Sequence, residues 1–150
     1  MSEKKKVLFV CIENSRRSQI AEGFANYLGR DILEAYSAGS RPSGNIDTMI
    51  IEVMRESGID ISGQKSKGFD EVPINDFDYV VSMGCKDVCP FFQAKNHIEW
   101  KIEDPKGKDM EFFRNVRDKI RDKVFSLIGE ISDSSSKGDE NATTFRPGTN

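Results

Sequence analysis

The chain has 150 residues, 37% hydrophobic and 31% charged, with a formal net charge of −3. That length suits one domain with a real core. The slightly acidic balance excludes a global basic field for nucleic acid, so any bound anion must be drawn by a local arrangement. Three cysteines, an odd number, do not make a disulfide framework, and a single histidine without a Cys-x-x-Cys pair argues against structural zinc.

Lys6 to Cys11 is an apolar run of the kind found in a buried parallel strand. Val7 to Ile12 is too short for a signal core or a membrane span, so a cytoplasmic protein with no membrane partner is expected. Ser18 to Leu28 carries Ile20, Ala21, Phe24, Ala25 and Leu28 at helical spacing, and Gly29 is a natural stop. Ile32 to Ala38 reads as a second strand. Ile46, Met49, Ile50, Val53 and Met54 mark a second helix that ends at Gly58. Phe77 to Met83 is a third strand. Residues 84–96 read as a loop, expected to be the most mobile ordered part of the chain, and His97 to Ile102 as a short fourth strand. Phe112, Phe113, Val116, Ile120, Val124, Leu127, Ile128 and Ile131 form the stripe of a long last helix. From Ser132 the text turns polar, which sets an expected domain boundary of 1–131 and a disordered tail of 132–150.

Strands alternating with helices predict an α/β domain: a doubly wound, four-stranded parallel sheet flanked by helices. Ligands of such folds sit beyond the carboxyl ends of the strands, near a switch point. Cys11 ends the first strand, Cys85 follows the third, and Asp104 follows the fourth.

The stretch Cys11-Ile12-Glu13-Asn14-Ser15-Arg16-Arg17-Ser18 joins a strand to a helix start. A tight loop there turns its N–H groups inward and makes a nest for an anion, helped by the helix dipole. The amides of Ile12, Glu13, Asn14, Ser15, Arg16 and Arg17 can hold a tetrahedral oxyanion, and the Arg17 guanidinium adds a bidentate pair. The same field favours a thiolate at Cys11, toward which Ser18 can donate a hydrogen bond. Asn14 can brace the loop. The bland alternative is a buried strand cysteine followed by a surface helix start with two arginines.

The loop resembles the Cys-five-Arg-Ser/Thr loop of low-molecular-weight protein tyrosine phosphatases. More closely, it resembles the thioredoxin-coupled arsenate reductases built on that phosphatase fold. The resemblance runs from about residue 5 to 131 through CIENSRRSQIAEGFA, YSAGSRPS, VMRESGIDISGQKS, DYVVSMGCKDVCP and HIEWKIEDP. It implies that Cys11 is the nucleophile and that Asp104, before Pro105, is the general acid. It also implies that Glu22 and Ser37 support the loop with Asn14, a set that binds potassium in some members. Lys67 stands where a further aspartate is expected, so potassium is not expected here. No cofactor or resident metal is implied.

Phosphatase chemistry needs one cysteine, whereas this chain adds Cys85 and Cys89. The resemblance implies a relay. Cys11 attacks arsenate, Cys85 attacks the adduct, arsenite leaves, and Cys89 then forms a Cys85–Cys89 disulfide that thioredoxin reduces. Phosphate or sulfate would act as substrate analogues, and a monomer is expected. The alternative is a phosphatase acting on phosphate monoesters, an activity a reductase could also keep as a side reaction. Lys106, Gly107 and Lys108 after the Asp-Pro pair suggest a wide basic mouth. In the loop, Glu13 replaces the Gly of many relatives, and its carboxylate has to point away from the anion. Arg16 replaces a Cys and is expected to add positive potential at the rim.

Overall fold

The computed structural model describes residues 3–84 and 92–136, with side chains through Asp133. Four strands form one parallel sheet: β1 (Lys5–Cys11), β2 (Leu33–Gly39), β3 (Asp76–Ser82) and β4 (Gln93–Glu99), in the order β2-β1-β3-β4. The chain leaves β1 toward β2 on one side and later returns to β3 on the other. The carboxyl end of β1 is therefore the switch point of the sheet. Cys11 pairs in register with Gly39, and Val10 with Ser82, so the residues after Cys11 open into the crevice between the two diverging connections.

The central position of β1 explains its composition. Val7, Leu8, Phe9 and Val10 are fully buried because both faces of the strand are covered. Val7, Phe9 and Cys11 join the larger core with α1 (Arg17–Leu28), α2 (Thr48–Glu56) and α3 (Met110–Ser136). Leu8 and Val10 face a smaller core with Phe77, Val80 and Phe92, bordered by Tyr36 and Phe69. Among the described residues, all three α-helices lie on the first face. The second face is closed by a 3₁₀ turn, Phe69–Glu71, and by edge-on aromatic contacts of Phe77 with Tyr36 and Phe92 and of Phe92 with Phe69.

Two boundaries differ from the sequence reading. β4 begins at Gln93 and ends at Glu99, so four residues assigned to the loop, Gln93 to Asn96, are strand. This is an edge strand whose alternate residues face water, and its register is set by β3 rather than by an apolar run of its own. α3 continues to Ser136, five positions past Ile131, the last residue of its apolar stripe. Adding residues to an existing helix is far easier than starting one, so a short polar stretch can extend it. Residues 85–91, which include Cys85 and Cys89, lie outside the described residues, as does 137–150. No helix among the described residues is long and apolar enough to cross a membrane.

Candidate active site

The loop between β1 and α1 is held by its carbonyls. Ile12 O accepts from Arg41 N at 2.8 Å, Glu13 O from Ser43 N at 3.1 Å and Ser66 Oγ at 3.0 Å, and Ser15 O from Asp47 N at 3.2 Å. Asn14 O accepts from Gln19 Nε2 at 3.0 Å. Four consecutive carbonyls are thus drawn outward by the surrounding chain. Among the described residues, the amides of Ile12 to Arg16 have no such partners, which leaves their N–H groups available to an anion. The turn requires one left-handed residue, and Asn14, with φ of 52°, supplies it. It also requires close approach by β2. A methyl group on Gly39 would lie 2.5 Å from Ile12 O, so no side chain fits there.

The side chains follow an equally ordered scheme. Asn14 Oδ1 accepts from the Lys67 backbone N at 2.8 Å and from Gln19 Nε2 at 2.9 Å. A backbone N–H can only donate, so the amide orientation is fixed and Asn14 Nδ2 donates to Ser18 Oγ at 2.7 Å. Ser18 Oγ lies 2.9 Å from Cys11 Sγ. Because the serine oxygen accepts from Asn14, its own hydrogen is free to point at the sulfur. Cys11, Asn14 and Ser18 are all buried.

Arg17 is 6% exposed. Its NH1 donates to Ile102 O at 2.9 Å, and its NH2 lies 3.7 Å from Asp104 Oδ2. Its Nε is buried without a hydrogen-bond partner, an arrangement that is costly unless a ligand satisfies it. Gly84, with φ of 90°, backs the guanidinium; a methyl group there would lie 2.9 Å from NH1. The structure therefore brings Cys11 against Ser18, and Arg17, the next residue back in the chain, against Asp104.

The loop supports also assemble. Ser37 Oγ donates to Glu22 Oε1, and Lys67 Nζ lies 3.5 Å from Ser37 Oγ and 3.8 Å from Glu22 Oε1. A potassium ion does not fit this set. The ammonium already faces the carboxylate, and Asn14 Oδ1 is taken by two N–H donors. Burial pushes the Glu22 carboxyl above its ordinary range, while Lys67 and Ser37 oppose that shift. The folded state thus holds this proton more tightly than the unfolded chain does. The associated stability is full below the ordinary glutamate value of about 4.3 and is lost as pH rises through the raised folded value. Lys67→Met removes the opposing charge and raises the carboxyl further. Its loss of stability relative to the parent is therefore expected to grow as pH rises above the ordinary glutamate value of about 4.3, as read by urea unfolding at a series of pH values. A constant difference would contradict this coupling.

Two features of the mouth correct the sequence reading. Arg16 does not sit at the rim as free positive charge. Its side chain is 7% exposed and donates to Asp104, Asp47 and Glu13. The mouth is not openly basic either. Lys106 pairs with Glu13 at 2.9 Å, and Lys108 lies over the Phe112 ring. Glu13 is held by Lys106 and Arg16, as the expected outward orientation requires, and both pull its carboxyl below the ordinary range. The sequence reading missed Gln19, Gln64, Asp47 and Ser66. Gln19 Nε2 spans Asn14 and Lys65 O, and Gln64 Nε2 donates to Gln19 Oε1 at 2.7 Å. Only Gln19 stands beside the loop in sequence, and its side-chain type alone carries no signal of that role.

Comparison with known proteins agrees with this geometry. The family model for low molecular weight phosphotyrosine protein phosphatase matches residues 6–137. A glutaredoxin arsenate reductase of Synechocystis sp. is 42% identical over 131 residues, covering 85% of this chain and 99% of that protein. A solved structure of an arsenate reductase in the phosphate binding state is similar with a TM-score of 0.78 at 41% identity, over 85% of this chain and 98% of that one. The thioredoxin-dependent arsenate reductase Cg_ArsC1' of Corynebacterium glutamicum gives a TM-score of 0.73 at 32% identity, over 89% of this chain and 64% of that one. A thiol loop at the switch point of a four-stranded parallel sheet, matched along nearly all of the described chain, places this protein in the low molecular weight phosphotyrosine protein phosphatase family, with arsenate reductases among its relatives.

Proposed function

We propose that this protein reduces arsenate to arsenite. The observation that carries the reading is the loop itself: carbonyls taken up by the surrounding chain, N–H groups without such partners among the described residues and the unpartnered Arg17 Nε, on one loop that begins at a buried thiol. In the proposed reaction the Cys11 thiolate attacks arsenic and displaces one oxygen as hydroxide or water, protonated by Asp104. The Cys85 thiolate then attacks the Cys11 sulfur. The electron pair of the S–As bond stays on arsenic, which leaves as arsenite, and a Cys11–Cys85 disulfide forms. Cys89 attacks Cys85, frees Cys11 and leaves a Cys85–Cys89 disulfide. An external dithiol restores the starting state. Gly84, where an added methyl group would lie 2.9 Å from Arg17 NH1, immediately precedes Cys85 in sequence, which supports the first transfer.

The names of the relatives point to arsenate as substrate and differ on the reductant. One is called a glutaredoxin arsenate reductase and another thioredoxin-dependent. We assign a thioredoxin-type dithiol to this chain, because two cysteines four positions apart suit an intramolecular disulfide. The rival reading is a phosphatase on phosphate monoesters, which needs only Cys11, Arg17 and Asp104.

Arsenite release and aryl phosphate hydrolysis, measured on the parent and on Cys85→Ser, separate the two. A reductase loses arsenite formation in Cys85→Ser and keeps whatever ester hydrolysis it has. A phosphatase produces no arsenite in either protein and hydrolyses the ester equally in both. Thioredoxin supplied as sole reductant is expected to sustain turnover; support by a glutaredoxin system alone would overturn the assigned partner but not the reaction.

A further inference from the structure

The Arg16 guanidinium faces three carboxylates, and the proposed chemistry gives it no step. Its Nε donates to Asp104 Oδ1 at 2.9 Å, its NH1 to Asp47 Oδ2 at 3.1 Å and its NH2 to Glu13 Oε1 at 2.6 Å. Glu13 Oε2 receives Lys106 Nζ at 2.9 Å, and the Lys106 backbone N donates to Asp104 Oδ1 at 3.1 Å. The contacts close a circuit: Glu13, Arg16, Asp104, Lys106 and back to Glu13. It joins the cradle loop to the turn that follows Ile102.

The circuit is graded in depth. The Arg16 side chain is 7% exposed, Glu13 29%, Asp104 35% and Lys106 61%. Its inner half is pegged to the scaffold, because Asp47 also caps α2 by accepting from Met49 N. Its outer link, Lys106 to Glu13, faces water and can open. In-line attack by Cys11 sends the leaving oxygen away from the sulfur, where Asp104 as the proposed general acid has to meet it. Whatever that oxygen carries must pass the circuit. A bare oxyanion carries nothing more than a proton, whereas an ester carries its organic group into the Lys106–Glu13 link.

We infer that Arg16 is a positioning residue, and that the Glu13–Arg16–Asp104–Lys106 circuit is a selectivity collar that admits an inorganic tetrahedral oxyanion and penalises an organic ester at the same cradle. This inference rests on the proposed role of Cys11 but not on arsenate being reduced. It replaces the open basic mouth expected from the sequence with a charge-balanced one. Favouring one ligand by obstructing another is a general route to specificity.

The test reads ligand binding at the cradle without turnover. Cys11 alkylation by iodoacetamide is followed by peptide mass spectrometry while inorganic phosphate or phenyl phosphate is titrated in. The parent is expected to be protected at lower concentrations of inorganic phosphate. In Lys106→Ala that preference is expected to shrink by at least about threefold, and in Arg16→Ala by about tenfold. The parent's preference is also expected to fall as salt screens the exposed link, with little salt dependence left in Lys106→Ala. A purely structural role would weaken both ligands together and leave their ratio unchanged. Arg16→Ala risks the fold, so Lys106→Ala decides: a ratio that moves by less than about threefold overturns the collar. If the ratio moves as expected but arsenate gives no arsenite, the collar stands and the reductase reading fails.

Discussion

Cys11→Ser is expected to lower arsenite formation by at least about 10⁴-fold. A serine hydroxyl at this position keeps the volume and the neighbour, Ser18, but lacks the thiolate's nucleophilicity at neutral pH. It also lacks the sulfur–arsenic bond through which two electrons reach arsenic. The cradle should survive, because its carbonyls are held by Arg41, Ser43, Gln19 and Asp47 rather than by the sulfur. Phosphate binding, measured by calorimetry, should therefore be retained. Loss of phosphate binding would mean that the thiol shapes the loop instead of acting from it. Residual arsenite formation within about tenfold of the parent would remove Cys11 from the chemistry altogether.

Arg17→Ala carries the second large effect. The guanidinium is buried, tied by NH1 to Ile102 O and backed by Gly84, while its Nε has no partner. A fixed donor aimed at a charged transition state is typically worth about 3–4 kcal/mol, so kcat/KM for arsenate should fall by roughly 10²- to 10³-fold. Arg17→Lys should recover little of this. An ammonium is a point charge and cannot offer two parallel donors to one oxyanion. Steady-state kinetics on both variants, with unfolding curves to confirm that each is folded, reads the difference. Full rescue by lysine would reduce Arg17 to a source of positive potential.

These two residues were legible in the sequence because the loop is local. Eight consecutive positions after a buried strand carry the thiol, the turn residue Asn14, the arginine and the serine. The strand-helix alternation sufficed to place them at the switch point. Asp104 is singled out by the resemblance rather than by its dipeptide, and in the structure it lies five residues past the end of β4. What orients the loop was not legible, because its partners are distant in sequence. Lys67 N reaches Asn14 Oδ1 across 53 positions, and Gln64 reaches Gln19 across 45. Arg16 shows the same limit most clearly. Its type suggested an exposed rim charge, yet three carboxylates from three separate segments draw it inside. The edge strand β4 was set too late because exposed polar residues carry no strand pattern without the neighbour that pairs with them. The resemblance implies Glu22 and Ser37 as loop supports, and geometry adds that the Lys67 ammonium faces the buried carboxylate.

The relay leaves a first product, the Cys11–Cys85 disulfide, that can be trapped. Cys89→Ser cannot resolve a Cys11–Cys85 bond. Mixed fully reduced with excess arsenate and no external thiol, it should release arsenite in equal proportion to protein and stop. Peptide mapping should then find Cys11 linked to Cys85. Arsenite without that linkage, or a protein that keeps both thiols free after arsenate, would contradict the account.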